Sequence, residues 1–187
     1  MDYNQFYILS DSDLKDALYV LPKIQLEDYK LFKGELELTY PIIFYPNIGK
    51  KANDLIGSGY AGLNLFSSKI TSMLMEHYIT GWKINPCEIY DWNSNKIEGY
   101  TIFSVIGRCG TLDFSKSEKV MLPSLGPKGK SIQGLKGLYF EPDSWDGADI
   151  FTPEGTKFIF VKEKVKKLFE ENNITNISFK KITEFAR

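Results

Sequence analysis

Five acids crowd one short stretch of the chain: Glu141, Asp143, Asp146, Asp149 and Glu154, with Trp145 among them. Closely spaced carboxylates can hold a divalent cation, and the calcium-loop pattern wants ligands at its first, third and fifth positions. Here Asp143, Trp145 and Gly147 stand at those positions, so the template fails. Asp146-Gly147 is a strong turn dipeptide, and the stretch reads as a turn carrying solvated acids. Gly129-Lys130-Ser131 has the ending of a phosphate-binding loop. That loop needs an earlier glycine, where this chain has Ser124, and a helix opening at the lysine to face phosphate with its N–H groups. The following Ile132-Gln133-Gly134-Leu135-Lys136-Gly137 is a poor helix, so no nucleotide site is expected.

His77 is the only histidine. Catalytic triads and zinc sites need a histidine with defined neighbours or further ligands. Gly107-Arg108-Cys109-Gly110 has the look of a nucleophile turn, but no Cys/His or Ser/His pair can be argued around it. No catalytic, cofactor-binding or metal-binding residue is therefore expected. What remains is recognition, because aromatics beside acids are the anchors protein interfaces use. The candidate partner-binding residues are Glu141, Asp143, Trp145, Asp146, Asp149, Glu154 and Trp92. The competing reading is that the tryptophans cap the ends of a sheet.

The bulk numbers narrow the class. The 187 residues suit one domain, or two small halves sharing a core. Hydrophobic content of 43%, with 14% aromatic, supports a packed interior. A net charge of −1 gives no excess of Lys and Arg to neutralise nucleic acid phosphates. Cys87 and Cys109 are too few for a disulfide framework and read as buried thiols. Met1-Asp2-Tyr3-Asn4-Gln5 has no signal-peptide character, and no apolar run reaches membrane-spanning length. A cytoplasmic location, with no membrane partner, is expected.

These candidates must be held by elements that the pattern also predicts. Phe6-Tyr7-Ile8-Leu9 reads as an opening strand. Ser10-Asp11-Ser12-Asp13 offers helix caps, with a short helix expected through Leu14, Ala17 and Leu18. Leu36 to Tyr45 reads as strand, with Pro41 marking an edge or a break. Leu63 to Phe66 is a strand, capped at Ser67 or Ser68 into a helix whose inward face is Ile70, Met73, Leu74 and His77. Gly81 is expected as its left-handed cap. Trp82-Lys83-Ile84 starts a strand that resumes beyond Pro86 as Cys87-Glu88-Ile89-Tyr90. Tyr100 to Ile106 reads as a buried strand. Residues 107–138, rich in Gly, Ser, Lys and Pro, read as a long surface excursion.

The chain also reads as containing one unit twice. Leu63 to Gly81 aligns without a gap on Phe158 to Asn176. Lys69/Lys164, Glu76/Glu171, Ile79/Ile174 and Thr80/Thr175 are identical, and the apolar positions match throughout. Asp54-Leu55-Ile56 extends the match on Asp149-Ile150-Phe151, and Phe44-Tyr45-Pro46 joins Phe140-Glu141-Pro142 with a one-residue slip. In the second unit Val165, Leu168, Phe169 and Asn172 line the helix, and Asn176 takes the place of Gly81. The expected fold is α+β: one domain over 1–187, two related strand–helix–strand units (about 44–92 and 140–187) and additional, mainly antiparallel strands.

The second unit carries a family resemblance. Trp145-Asp146-Gly147-Ala148-Asp149-Ile150-Phe151, Pro153-Glu154-Gly155-Thr156, Phe158 through Val165, and Ile174-Thr175-Asn176-Ile177-Ser178-Phe179 resemble the C-terminal half of the immunity-eleven family of bacterial polymorphic-toxin immunity proteins. Asn176 stands where that family often has glycine. The resemblance extends over about residues 40–187. It implies a cytoplasmic, non-catalytic antidote that binds and blocks a secreted toxin encoded beside it, and it brings no catalytic residue. If the toxin is a nuclease, the acids of 141–154 would stand in for phosphate. The alternatives are a small-molecule-binding protein or small enzyme using a cleft between the two units, and a structural subunit of a larger assembly.

Overall fold

Short runs of β-branched and aromatic residues, broken by Gly, Pro and Asn, make most of the chain strand. The computed structural model describes residues 1–12, 14–123 and 129–187. Asp13 and Ser124, which figured in the helix cap and the phosphate-loop reading, lie outside the described residues. The first half holds β1 (Phe6–Ser10), β2 (Tyr19–Pro22), α1 (Asp28–Phe32), β3 (Ile42–Ile48), β4 (Leu55–Ser58), β5 (Asn64–Ser67), α2 (Ser68–Glu76), β6 (Trp82–Asn85), β7 (Cys87–Tyr90) and β8 (Lys96–Ile97). The second holds β9 (Tyr100–Val105), β10 (Gly107–Cys109), β11 (Glu118–Leu122), β12 (Ile132–Lys136), β13 (Ile150–Pro153), β14 (Ile159–Lys162), α3 (Glu163–Glu171) and β15 (Ser178–Lys181).

The fold is a mixed α+β one. An eight-stranded sheet runs β6-β9-β5-β4-β2-β3-β7-β8, a five-stranded sheet runs β10-β13-β14-β1-β15, and β11-β12 form a hairpin. Pairing is antiparallel except at β2–β4, β3–β7 and β10–β13. The larger sheet curls back on itself. The Cys87 thiol donates to Tyr100 O at 3.4 Å, and Ile42 N donates to Pro86 O at 3.2 Å. Pro86 lacks an N–H and breaks the ladder, which sends β6 and β7 to separate places in the strand order.

The two sheets are built alike around their helices. β4, β5 and α2 match β13, β14 and α3 in order and length. Leu55 pairs with Phe66 as Ile150 pairs with Val161, and Ile56 with Leu65 as Phe151 with Phe160. Both helices bury one stripe: Ile70, Met73 and Leu74 in α2, and Val165, Leu168 and Phe169 in α3. Both are followed by a left-handed residue, Tyr78 at φ 51° and Asn173 at φ 50°.

The strand completing each sheet comes from the other half of the chain. β9 lies between β5 and β6, whereas β1 lies between β14 and β15. Their registers agree residue for residue. Phe103 faces Asn64 and Ile84, and Leu9 faces Ile159 and Phe179. Two aspartates then clasp the halves crosswise. Asp54 accepts from Thr175 N at 2.9 Å and Oγ1 at 2.8 Å, while Asp149 accepts from Thr80 N at 3.1 Å and Oγ1 at 3.2 Å. Burial pushes both carboxyls up. For Asp149 the Lys164 ammonium and Thr80 N–H outweigh that, for Asp54 the Thr175 donors do, and both end below the usual carboxylate range.

Several expectations need correction. Leu14 to Leu18 form no helix, because Asp16 sits at φ 66° and Ala17 bridges to Lys51, leading into strand β2. Leu36 to Pro41 precede β3 as irregular chain, with Leu36 and Leu38 packed on the core without a ladder. Ser67 sits at the N-cap of α2, but its hydroxyl donates to Asp54 instead of capping. The helices end at Glu76 and Glu171, so Gly81 and Asn176, also left-handed, serve as strand entries and not as caps. His77 and Asn172 fall just past the helix ends and are exposed, not inward. In residues 107–138, β10 pairs in the five-stranded sheet and Cys109 and Leu138 are core residues.

Two apolar clusters fill the interior. The larger joins α1, α2 and α3 to the eight- and five-stranded sheets; the smaller is aromatic, with Phe6, Phe140, Phe151 and Phe160 meeting edge-on or tilted. Both cysteines are free, and burial pushes each thiol up to about 12, which suppresses nucleophilic thiolate at neutral pH.

Candidate partner-binding surface

Strand alternation places Ile42 and Phe44 inward on β3 and turns Ile43 and Tyr45 outward. Tyr45 sits opposite Leu21 of β2, and its ring stacks on Tyr90 of β7 at 5.8 Å. Tyr90 in turn donates its hydroxyl to Glu88 at 3.1 Å. Lys96 of β8, opposite Tyr90, pairs with Glu88 at 3.4 Å and Glu98 at 3.5 Å. The next turn is held by Asp91, whose carboxylate accepts from Asn93 N and Asn95 N at 2.8 Å each. The Asn95 backbone N–H keeps that carboxyl below its usual range.

Trp92 rides on this turn. Its indole N–H donates to Gly49 O at 2.6 Å, fixing the ring, yet the residue is 54% exposed. Tyr45 is 42% exposed, and Leu21 and Ile48 are open beside it. The result is a pre-ordered aromatic and aliphatic face with a polar rim, on strands β2, β3 and β7 and the turn into β8. In the five-stranded sheet, past β10, the described residues show only the isolated bridge Leu112–Phe140.

The acidic segment is arranged differently. Asp149 is 3% exposed and spends its oxygens on Thr80, Lys164 at 2.7 Å and Lys162 at 3.5 Å. Asp146 accepts from Arg108 N at 2.7 Å and Ala148 N at 2.9 Å, stapling its own turn to β10. Trp145 packs edge-on against Phe6 at 5.2 Å, donates to Ala148 O at 3.2 Å and lies under Lys162. Glu141 and Glu154 are exposed and pair with Lys116 and Lys33. Asp143 is exposed in a short 3-10 turn. The five acids thus do not converge on one point. No group of three or more His, Cys, Asp or Glu fit to hold a metal occurs among the described residues.

A cavity of about 430 Å³ opens beside α1, lined by Leu26, Leu31, Leu36, Leu38, Tyr40 and Ile42 with Lys23, Glu27 and Glu37 among its other residues. His77 lines a separate depression of about 240 Å³ with Lys164, Lys167 and Glu171, whereas Cys109 is buried in the aromatic cluster. Of the residues on this face, sequence reasoning named Trp92 as a candidate and did not name Leu21, Tyr45 or Tyr90. The signal was there in the in-out alternation of Ile42 to Tyr45, once the strand is known to start after Pro41.

The sequence profile of the immunity protein family (Imm11) matches residues 9–184, nearly the whole chain. The chain belongs to that family. Among curated proteins, none matches it. No helix among the described residues is long and apolar enough to cross a membrane.

Proposed function

We propose that this protein is a non-catalytic antidote that binds and blocks a bacterial toxin domain encoded beside it, acting in the cytoplasm. Family membership carries the toxin-immunity role. The specific docking surface is our reading of the exposed face of Leu21, Tyr45, Tyr90 and Trp92. Rigid aromatic side chains held before binding lose little entropy on association, and such residues dominate interface energetics. An inhibitor needs about 1,600 Å² of total buried area, so this face forms the centre and its charged rim the edge. The acids Glu141, Asp143 and Glu154 remain available to meet a basic toxin. Asp146, Asp149 and Trp145 are better explained as supports of the fold. We further propose that the two helix-bearing units are copies of one ancestral unit; their matched registers and crosswise clasps support this.

The test is co-expression with the neighbouring toxin domain, followed by pull-down. Cell survival with a stoichiometric complex is the expected outcome. Undiminished killing with no complex would reject the antidote reading.

A further inference from the structure

The likeness of the two sheets exposes a difference between them. Helix α1 is seated at the end of β9: Leu31 O accepts from Ser104 Oγ at 2.6 Å, and Asp28 pairs with Lys157. Phe32 closes over Gly62, where an added Cβ would meet its ring at 3.2 Å. Arg108 holds the exit of the helix by donating to Lys33 O at 2.6 Å. Each of these positions has a counterpart across the fold. Ser104, opposite Lys83, corresponds to Ser10, opposite Ser178. Gly62 and Lys157 correspond to each other, each lying just before a matched strand, β5 or β14. Arg108, opposite Thr152, corresponds to Tyr19, opposite Gly57.

At that counterpart the described residues form no helix. Instead a cavity of about 300 Å³ lies there, lined by Leu9, Ser10, Ala61, Asn64, Phe158 and Ile159 among others. Its size is at the lower end of the range for ligand sites. The charge at its mouth differs as well. Where Arg108 caps α1, Tyr19 donates its hydroxyl to Asp11, so a carboxylate stands at the rim in place of a guanidinium.

We propose that this cavity receives one helical turn of the bound toxin, shaped like α1: two adjacent apolar residues entering between the sheets, flanked by a Lys or Arg that meets Asp11. The identity of the occupant rests on the toxin-binding reading; the shape of the seat rests on α1 itself. It forms a second contact, separate from the aromatic face.

Two experiments on the full chain test it. A synthetic peptide of residues 25–34 is titrated in while backbone amide shifts are followed by NMR. Shifts confined to Ser10, Ala61 and Asn64 are expected. The Ala61→Trp variant, which fills the mouth, weakens binding by about tenfold, and a peptide carrying Lys33→Glu, which sets an acid against Asp11, binds more weakly than the native one. No shifts, or shifts at Ser104 from displacement of α1, would overturn the seat. In the second experiment the neighbouring toxin domain is titrated calorimetrically. Ala61→Trp raising Kd by about tenfold supports the proposal, whereas unchanged affinity of a folded variant overturns it while leaving the antidote reading intact. If the unmodified chain binds no toxin, the antidote reading falls and with it the toxin as occupant.

Discussion

The two helix-bearing units share a frame and differ in what is hung on it. Around α2 the frame is extended by β3, β7 and β8 and presents Tyr45, Tyr90 and Trp92 outward. Around α3 the frame stops at β10 and is backed by the aromatic cluster of Phe6, Phe140 and Phe151. A common scaffold thus carries a displayed apolar surface on one side and a hidden one on the other. On the proposed reading, the shared parts bear the stability and the added strands bear recognition.

The exchange of β1 and β9 gives the severest way to break that comparison. A chain cut in the exposed turn between Asn93 and Ser94 leaves each fragment without an inner strand of its sheet, β9 in one and β1 in the other. Neither fragment alone is expected to unfold cooperatively by circular dichroism, a loss of the full stability of about 5–15 kcal/mol; mixing them restores the transition. A fragment that folds by itself would show the exchange to be dispensable.

The next largest effect separates matched residues in unlike surroundings. Phe6 and Tyr100 hold equivalent places, opposite Lys162 and Ser67. Phe6 is wholly buried among aromatic rings, so Phe6→Ala costs about 3–5 kcal/mol in denaturant melts. Tyr100→Phe removes only its hydrogen bond to Asn53 O and costs about 1 kcal/mol.

The clasps give a smaller contrast. Asp149→Ala is expected to cost about 3 kcal/mol and Asp54→Ala about 1–2, since Asp149 is the more buried and the more closely paired. Both folded carboxyls lie below the usual range, so their contribution is complete above about pH 4 and is lost as pH falls through the lowered values. Asp149→Asn should flatten the acid limb of the stability curve. An unchanged acid limb would mean the clasp carries no linkage.

The smallest effect concerns the left-handed residues after the helices. Asparagine tolerates that conformation better than tyrosine. Tyr78→Asn should raise stability by about 0.5 kcal/mol and Asn173→Tyr should lower it by a similar amount, read from melting midpoints.

Much of this frame was legible in the chain. The strand–helix runs Leu63 to Glu76 and Phe158 to Glu171 declare themselves because buried stripes repeat at helical spacing. The exchange of β1 and β9 was not legible, since Phe6-Tyr7-Ile8-Leu9 looks the same whichever sheet it completes. The roles of Asp146 and Asp149 were hidden for a similar reason. An aspartate that staples a turn or clasps two halves has the same letter as a solvated one, and only its distant partners, Arg108 and Thr80, distinguish it. Trp92 was visible as an anchor type, whereas its neighbours Leu21, Tyr45 and Tyr90 become one face only when β2, β3 and β7 are set side by side.

The central claim is that the principal recognition surface lies on the strands present around α2 alone. It is tested by calorimetric titration of the neighbouring toxin domain into the full chain, with Tyr45→Ala and Trp92→Ala compared against Lys167→Glu on exposed α3. The account predicts that each aromatic truncation raises Kd by about thirtyfold while the helix variant stays within about twofold of the unmodified chain. Unchanged affinity in both aromatic variants, or a loss confined to the helix variant, would contradict it.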